Sequence, residues 1–427
     1  MASTRLALEA HGSLPDLSGI LGRGDAIVWG HACGEPATLI ESVLAQAGSI
    51  GGLRAFAASS FSRLLSADTS ADVALSSMGA IGSLRSIARA QKLSVIPCHV
   101  GQIGGMIADG TIPCDVALVQ VAPNPAGAGY SYGLIGDFVP AAVAKARVVI
   151  AELSHRVPRT HSMQILPEDQ IDYLVETDRP LIELARGTIS DIDRSIARHA
   201  ADYIGDNSIL QVGIGAVPEA LMQLIADRRD LGIHSGMVGD SLVDLYECGA
   251  LTNATKPNDR GVSITGALIG SERLYRFADA NPALLLCPSS YTHSDAVLSA
   301  LPGLVSVNSA VEVDLSGQVN AEQIGESYIG GTGGQVDYVR AGARSPGGRS
   351  LIVLPSSAGD KSRIVPTLNG PVTTARSEVD VVITEYGAAE LKGRSIGERA
   401  RRLVEIAHPD FRETLDRAAH ALIRRGY

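Results

Sequence analysis

GDNSILQVGIGAVPEALMQLIAD (205–227) carries the architecture of the chain in one segment. It opens on Gly-Asp, runs through a short apolar segment, turns on Gly213-Ile214-Gly215 and continues as an apolar helical run with Pro218 near its start. A strand handed through a glycine turn to a helix is the βα unit of a parallel sheet. The same order recurs in GDAIVWGHACGEP (24–36). Pro36 and Pro218 both suit a first helical turn, where no amide hydrogen is needed. Any two βα units share this much. The sharper reading is a duplicated α/β domain whose second half starts near residues 190–205, with 187–206 as a joining helix.

Working outward, further continuous apolar runs read as strands at 26–29, 93–97, 116–121, 147–153, 208–212, 351–355 and 379–386. Strands buried on both faces look continuous rather than alternating. Helical patterns fall at 37–47, 138–146, 191–203, 218–227 and 396–406. The expected fold class is α/β: two similar, open, mostly parallel sheets, with an N-terminal domain over 1–190 and a C-terminal one over 191–427.

Composition narrows the function. The chain has 427 residues, 45% hydrophobic and 19% charged, with a net charge of -10. Mean hydropathy is +0.15, so a large core is affordable and disorder is not expected. Without a basic run, and with only 4% aromatics, nucleic acid is not the expected partner. No apolar run approaches a membrane span, and MASTRLALEAHGSLPDL (1–17) lacks the basic-then-apolar pattern of a signal peptide. Five cysteines without a CxxC spacing suit a reducing cytoplasm. No HxxxH pair, GxSxG elbow or GxxxxGK[ST] loop occurs, which removes common zinc, serine-hydrolase and P-loop readings; no metal is expected.

Two glycine clusters remain. Gly213, Ile214, Gly215, Ala216 and Val217 would present backbone amides at a helix start, suited to an anion or an oxyanion. As a dinucleotide fingerprint the turn fails, because Pro218 stands where the third glycine belongs and no acidic strand end follows about 20 residues on. Gly330-Gly331-Thr332-Gly333-Gly334 holds four glycines in five positions, which packing alone does not justify and a close backbone approach to a ligand does. Lysines number five, and Lys361, placed after an expected strand, is a candidate phosphate contact.

The C-terminal text VITEYGAAELKGRSIGERA (382–400) continuing into LVEIAHPDFRETL (403–415) closely resembles the end of the acetyl-CoA hydrolase/CoA-transferase family, which includes acetate and 4-hydroxybutyrate CoA-transferases. GGQVDYVRAG (333–342) and VNSAVEVDLSGQV (307–319) resemble it too, and DVALVQV (115–121), AGYSYG (128–133) and PRT (158–160) do so more loosely. The resemblance covers essentially the whole chain. It implies two α/β domains with the active site between them, acyl-CoA and a small carboxylate as substrates, coenzyme A as ligand rather than tightly held cofactor, and CoA contacts from Gly213–Val217, Asn308, Gly330, Gly331, Gly333, Gly334 and Lys361. It also implies a glutamate that attacks the thioester and carries CoA as an enzyme thioester, which is nucleophilic catalysis. Open sheet edges make a homodimer plausible.

The resemblance breaks at one position. The family's glutamate belongs in text like His-Thr-Glu-Met; here LGIHSGM (231–237) places Gly236 there. Glycine cannot form the acyl-enzyme. An acyl-CoA enzyme with altered chemistry, transferring CoA or hydrolysing the thioester without a glutamyl-CoA intermediate, is the leading expectation. A catalytically silent CoA-binding subunit is the alternative. His234 and Ser235 flank the gap, but neighbours on a strand point to opposite faces, which argues against a dyad. Asp240 and Glu247, the next carboxylates, read as a helix start and a surface residue.

Overall fold

The structure, a computed structural model, describes Thr4–Arg5 and residues 14–424 apart from Ser70. Among these residues no helix is long and apolar enough to cross a membrane. The chain forms two compact units: Met1–Ala185 with Ile264–Thr292, and Arg186–Ser263 with His293–Tyr427. This differs from a single division at 190/191, because Ile264–Thr292 returns to the first unit. Nothing in its local sequence marks that return.

The first unit is built on a nine-stranded sheet. In spatial order its main path runs Thr4–Arg5, Tyr173–Thr177, Val148–Ser154, Val116–Pro123, Ala26–Trp29, Leu53–Phe56, Val73–Ser77 and Leu93–Val95. Every pairing along that path is parallel. The short Tyr130–Ser131 strand pairs antiparallel with the end of Val116–Pro123. After the edge strand Thr4–Arg5 the chain enters the middle of the sheet at Ala26–Trp29, winds one way to Leu93–Val95, then crosses back to Val116–Pro123 and winds the other way. Strand order therefore reverses beside Trp29, the place where open α/β sheets leave a crevice above their carboxyl ends.

The second unit repeats the plan. Within this unit the strands run Gly232–Ser235, Ile209–Val212, Leu304–Ser309, Arg349–Val353 and Val381–Thr384, parallel throughout. Gly387–Glu390 closes it as an antiparallel edge hairpin. Order reverses between Ile209–Val212 and Leu304–Ser309. The two echoing segments thus occupy the same topological place, each supplying the strand beside which its sheet reverses. All four residues of Ala26–Trp29 and of Ile209–Val212 are buried, as continuous apolar runs require.

The turns after these strands need their glycines. A Cβ on Gly30 would lie 2.6 Å from the Gly34 carbonyl oxygen, and Gly215 sits at φ +132 as the cap of the Ala216–Leu224 helix. Pro218 is the third residue of Ala216–Leu224, within its first turn, and Pro36 stands one residue earlier than expected, as the N-cap of Ala37–Ile50. The joining segment does form a helix, Asp191–Ala201, with a Ser190–Asp193 capping box.

The stretch that carries the strongest family resemblance is scaffold. It forms the last parallel strand, the edge hairpin and the Ile396–Glu405 helix, which a Ser395–Glu398 capping box starts. Leu391, Ala400, Leu403 and Ala407 enter the core of the second unit. Arg399 is buried and donates to the carbonyls of Arg394, Ser316 and Arg376, tying the helix to two loops.

Candidate active site

In the second unit the carboxyl ends of three strands and one glycine loop meet. Gly213–Gly215 leaves the first strand, Gly236 follows the strand that ends at Ser235, and Asn308 sits near the end of the third. Gln211 and Asn308 join their side-chain amides across the reversal, at 2.9 and 3.4 Å. The pair is self-satisfying, with a donor and an acceptor from each.

His234 is fully buried, so its placement is that of a core residue. Ser235 is also buried, and its hydroxyl donates to the Val212 carbonyl at 3.2 Å. That bond fastens the strand end to the Gly213 turn. The structure does not join Ser235 and His234 into a dyad.

Gly236 is where the geometry becomes informative. A Cβ built on it would lie 2.6 Å from His293 Cε1 and 2.8 Å from His293 Nε2, with the Tyr338 hydroxyl 3.4 Å away. Gly334 faces the same ring from its own side. Its Cβ would come within 2.5 Å of His293 Nε2 and 2.8 Å of Cδ2. Real Cβ atoms do not approach so closely. The imidazole is therefore seated between two residues that have no side chain, and lies where a side chain at 236 would begin. His293 is 8% exposed, and the Tyr338 ring packs on it at 4.9 Å between centroids. Gly334 caps the Gln335–Arg344 helix, whose N-terminal amides add positive potential beside the ring.

The rest of the glycine loop is shaped by the backbone. Gly330 donates to the Glu322 carbonyl at 3.0 Å, and a Cβ there would meet the Ala321 carbonyl at 2.7 Å. Gly333 takes φ +60. Gly331 and Gly333 are half-buried in the loop. Lys361 lies exposed on the Ser357–Ala358/Lys361–Ser362 hairpin. Its candidacy rests on that exposure and its charge, and the structure does not bring it together with the His293 ring.

Below the turns, Arg186 gathers three carboxylates: Asp244 at 2.8 Å, Glu219 at 3.6 Å and Asp240 at 3.9 Å. Burial pushes the Glu219 carboxyl up, Arg186 opposes this, and Asp240 and Asp244 reinforce it. Asp240 caps the Ser241–Glu247 helix, as its sequence position implies, but it is buried rather than on the surface. Its burial goes with the helix it starts, where Ser241, Leu242, Val243 and Leu245 are buried as well. Glu247 is exposed at the far end of that helix.

The first unit carries a different polar cluster at its own reversal. Ser59 Oγ lies 2.8 Å from His31 Nδ1, and His31 Nε2 lies 2.6 Å from Asp137. All three residues are buried, and His31 stacks on Phe138. Glu152 accepts from the Thr38 and Leu39 amides at 2.9 and 3.1 Å, capping the Ala37–Ile50 helix. Burial outweighs those bonds and the nearby Arg179 charge, raising its carboxyl to about 7. Burial likewise pushes the Cys33 thiol up to about 11, which makes it a poor nucleophile. A cleft of about 600 Å³ in this unit is bordered by Arg156, Arg159 and Arg276. Each of these arginines is paired with an acid: Asp178, Asp279 and Glu272.

The surroundings of His293, Arg186, His31 and Glu152 are not legible in the sequence. His293 is defined by two glycines distant in sequence. Glu152 alone left a signal, a carboxylate inside the apolar run RVVIAEL (147–153).

Comparisons with known proteins agree with this architecture. The acetyl-CoA hydrolase/transferase N-terminal domain matches residues 13–184, and the C-terminal domain matches 270–419. A 4-hydroxybutyrate coenzyme A transferase of Clostridium kluyveri is 39% identical over 78% of this chain and 79% of that protein. A butyryl-CoA:acetate CoA-transferase of Anaerostipes caccae is 36% identical over 75% and 74%. Among solved structures, RipA from Yersinia pestis superposes with a TM-score of 0.90 at 32% identity, over 95% of this chain and 96% of that one. The chain belongs to the acetyl-CoA hydrolase/transferase family. It is an enzyme of that family, acting on acyl-CoA and carboxylates.

Proposed function

We propose that this enzyme opens a short-chain acyl-CoA thioester directly, by an acceptor oxygen, without forming a glutamyl-CoA intermediate. The observation that carries the reading is Gly236: it offers no carboxylate, and the direction its side chain would take is occupied by the His293 ring, 2.6 Å from the notional Cβ. The relatives named for 4-hydroxybutyrate and butyrate support a small acyl group. The Gly213–Val217 turn and the Gly330–Gly334 loop supply amides for the pantetheine end and the oxyanion, Asn308 borders the thioester, and Lys361 meets a phosphate. Five free thiols fit a cytoplasmic enzyme, and a homodimer completes the reading, tested by light scattering on the eluting protein.

The test is intact-mass spectrometry after acid quench from acetyl-CoA or butyryl-CoA. No adduct of CoA mass should form, and borohydride added during turnover should not inactivate the protein. A CoA adduct mapped to Asp240, Glu247 or another carboxylate would overturn the reading in favour of a transferase with a relocated nucleophile.

A further inference from the structure

We infer that His293 is a catalytic residue, the general base that activates water, so that this chain is an acyl-CoA hydrolase rather than a CoA-transferase. The inference rests on the acyl-CoA reading above and deepens it.

Three observations carry it. The first is position. Nε2 of His293 lies 2.8 Å from the notional Cβ of Gly236 and 2.5 Å from that of Gly334, so its edge points into the gap between the two glycines. That gap is where the family's carboxylate would start. Both glycines are half-buried and His293 is 8% exposed, so this edge of the ring lies against backbone that carries no side chain. The second is packing. Tyr338 packs on the ring at 4.9 Å, and the two glycine backbones bracket it. A proton acceptor must be held within a fraction of an ångström to serve catalysis. The third is chemical. A carboxylate acceptor brings no proton for a base to remove, so a transferase that has lost its glutamate has no use for an imidazole there. Water does bring one.

The step balances with water as the sole co-reactant. The water oxygen bonds to the thioester carbonyl carbon while Nε2 takes one of its protons. The tetrahedral intermediate collapses with cleavage of the C–S bond, and the imidazolium returns the proton to the departing CoA sulfur. The carboxylic acid product then ionises into solvent. A positioned base of this kind contributes about 10²- to 10⁴-fold.

The experiment follows thiol release from acetyl-, butyryl- and 4-hydroxybutyryl-CoA by the purified full chain, with and without acetate. CoA affinity is measured by calorimetry. Wild type should release thiol without acetate. His293→Gln, which keeps polar volume but holds no exchangeable base, should lose kcat at least about 100-fold while CoA affinity stays within about threefold. Free imidazole should restore part of the rate of His293→Ala. A His293→Gln enzyme within fivefold of wild-type kcat, or one whose loss lies wholly in CoA affinity, would overturn the assignment. So would a wild type that binds CoA yet releases thiol only when acetate is present, or not at all. A wild type that binds neither CoA nor acetyl-CoA would instead overturn the acyl-CoA reading beneath it.

Discussion

Each sheet places a buried histidine near its reversal point, and the two are held in opposite ways. In the first unit His31 is spanned by Ser59 on one ring nitrogen and Asp137 on the other. In the second unit His293 is bracketed by the backbones of Gly236 and Gly334 and by the Tyr338 ring. A Ser–His–Asp chain resembles a hydrolytic triad on paper, but buried polar groups must be paired wherever they occur, and this one joins three loops that would otherwise bury single unsatisfied groups. The second arrangement is the reverse: two side chains are withheld so that one ring can stand at a strand end. Withheld side chains at the mouth of a sheet mark function more sharply than a completed hydrogen-bond chain in its interior.

The strongest way to break this contrast is to place a carboxylate at position 236. Gly236→Glu alone forces a Cβ against the His293 ring and should displace it from Tyr338. Overpacking of this kind costs about 1–3 kcal/mol, and thiol release should fall by about 100-fold or more with the base displaced. Gly236→Glu combined with His293→Ala removes the clash. The double variant should recover stability, show a CoA adduct by intact mass, and gain exchange between acyl-CoA and acetate. The two changes should couple by about 1–3 kcal/mol in a double-mutant cycle. Additive effects would mean that the ring and residue 236 do not share the space.

The reciprocal change in the first unit should act on stability. His31→Ala leaves Asp137 and Ser59 buried beside a cavity, which costs about 2–4 kcal/mol in chemical denaturation. The residual folded protein should keep its kcat. A kcat collapse with an unchanged denaturation midpoint would make the Ser59–His31–Asp137 chain catalytic and erase the contrast.

Glu152 sharpens the same point through pH. Its carboxyl is raised to about 7 in the folded chain from an ordinary 4.5, so the folded state binds the proton more tightly. Its contribution is complete below about pH 4.5 and is lost as pH rises through 7, by about 3 kcal/mol in all. Glu152→Gln keeps an oxygen for the Thr38 and Leu39 amides and cannot ionise. Urea midpoints taken between pH 5 and 8 should therefore fall less steeply for the variant than for wild type. Parallel slopes would show that the buried acid is already charged at pH 5.

Much of the fold is legible because burial on both faces writes itself as continuous apolar runs: 26–29, 116–121 and 208–212 match strands to within two residues. The Gly-Asp echo marks both reversal strands for the same reason. The active site is less legible, since a glycine shows only that something is missing. The LGIHSGM text shows a glycine at 236 and nothing of its surroundings. Only the three-dimensional path brings His293, from a turn after the Ser289–Thr292 helix, against Gly236. The same limit hid the return of Ile264–Thr292 to the first unit, which depends on contacts and not on pattern. Asp240 does stand at a helix start, but its burial is not legible, because an acid there is normally solvated and the half-exposed Arg186 side chain near it lies far upstream.

The smallest expected effect concerns the rim of the second unit. Lys361 stands exposed at the foot of a two-residue turn, where its ammonium can reach solvent phosphate without cost to the fold. If it meets a CoA phosphate, the contact is a charge-assisted hydrogen bond screened by water, worth about 1.5 kcal/mol at most. Lys361→Ala should therefore weaken CoA binding by two- to about tenfold in calorimetry, with the denaturation midpoint unchanged. The loss should shrink as salt is raised, since exposed charges are screened over about 8–10 Å at physiological ionic strength. Dephospho-CoA and CoA should be compared on the same variant. A loss confined to CoA would assign the lysine to the 3′-phosphate, an equal loss for both would assign it to the pyrophosphate, and equal affinity for wild type and variant would remove Lys361 from the site. None of these outcomes should alter kcat, because the lysine acts at the rim and the base assigned to His293 stands at the strand end.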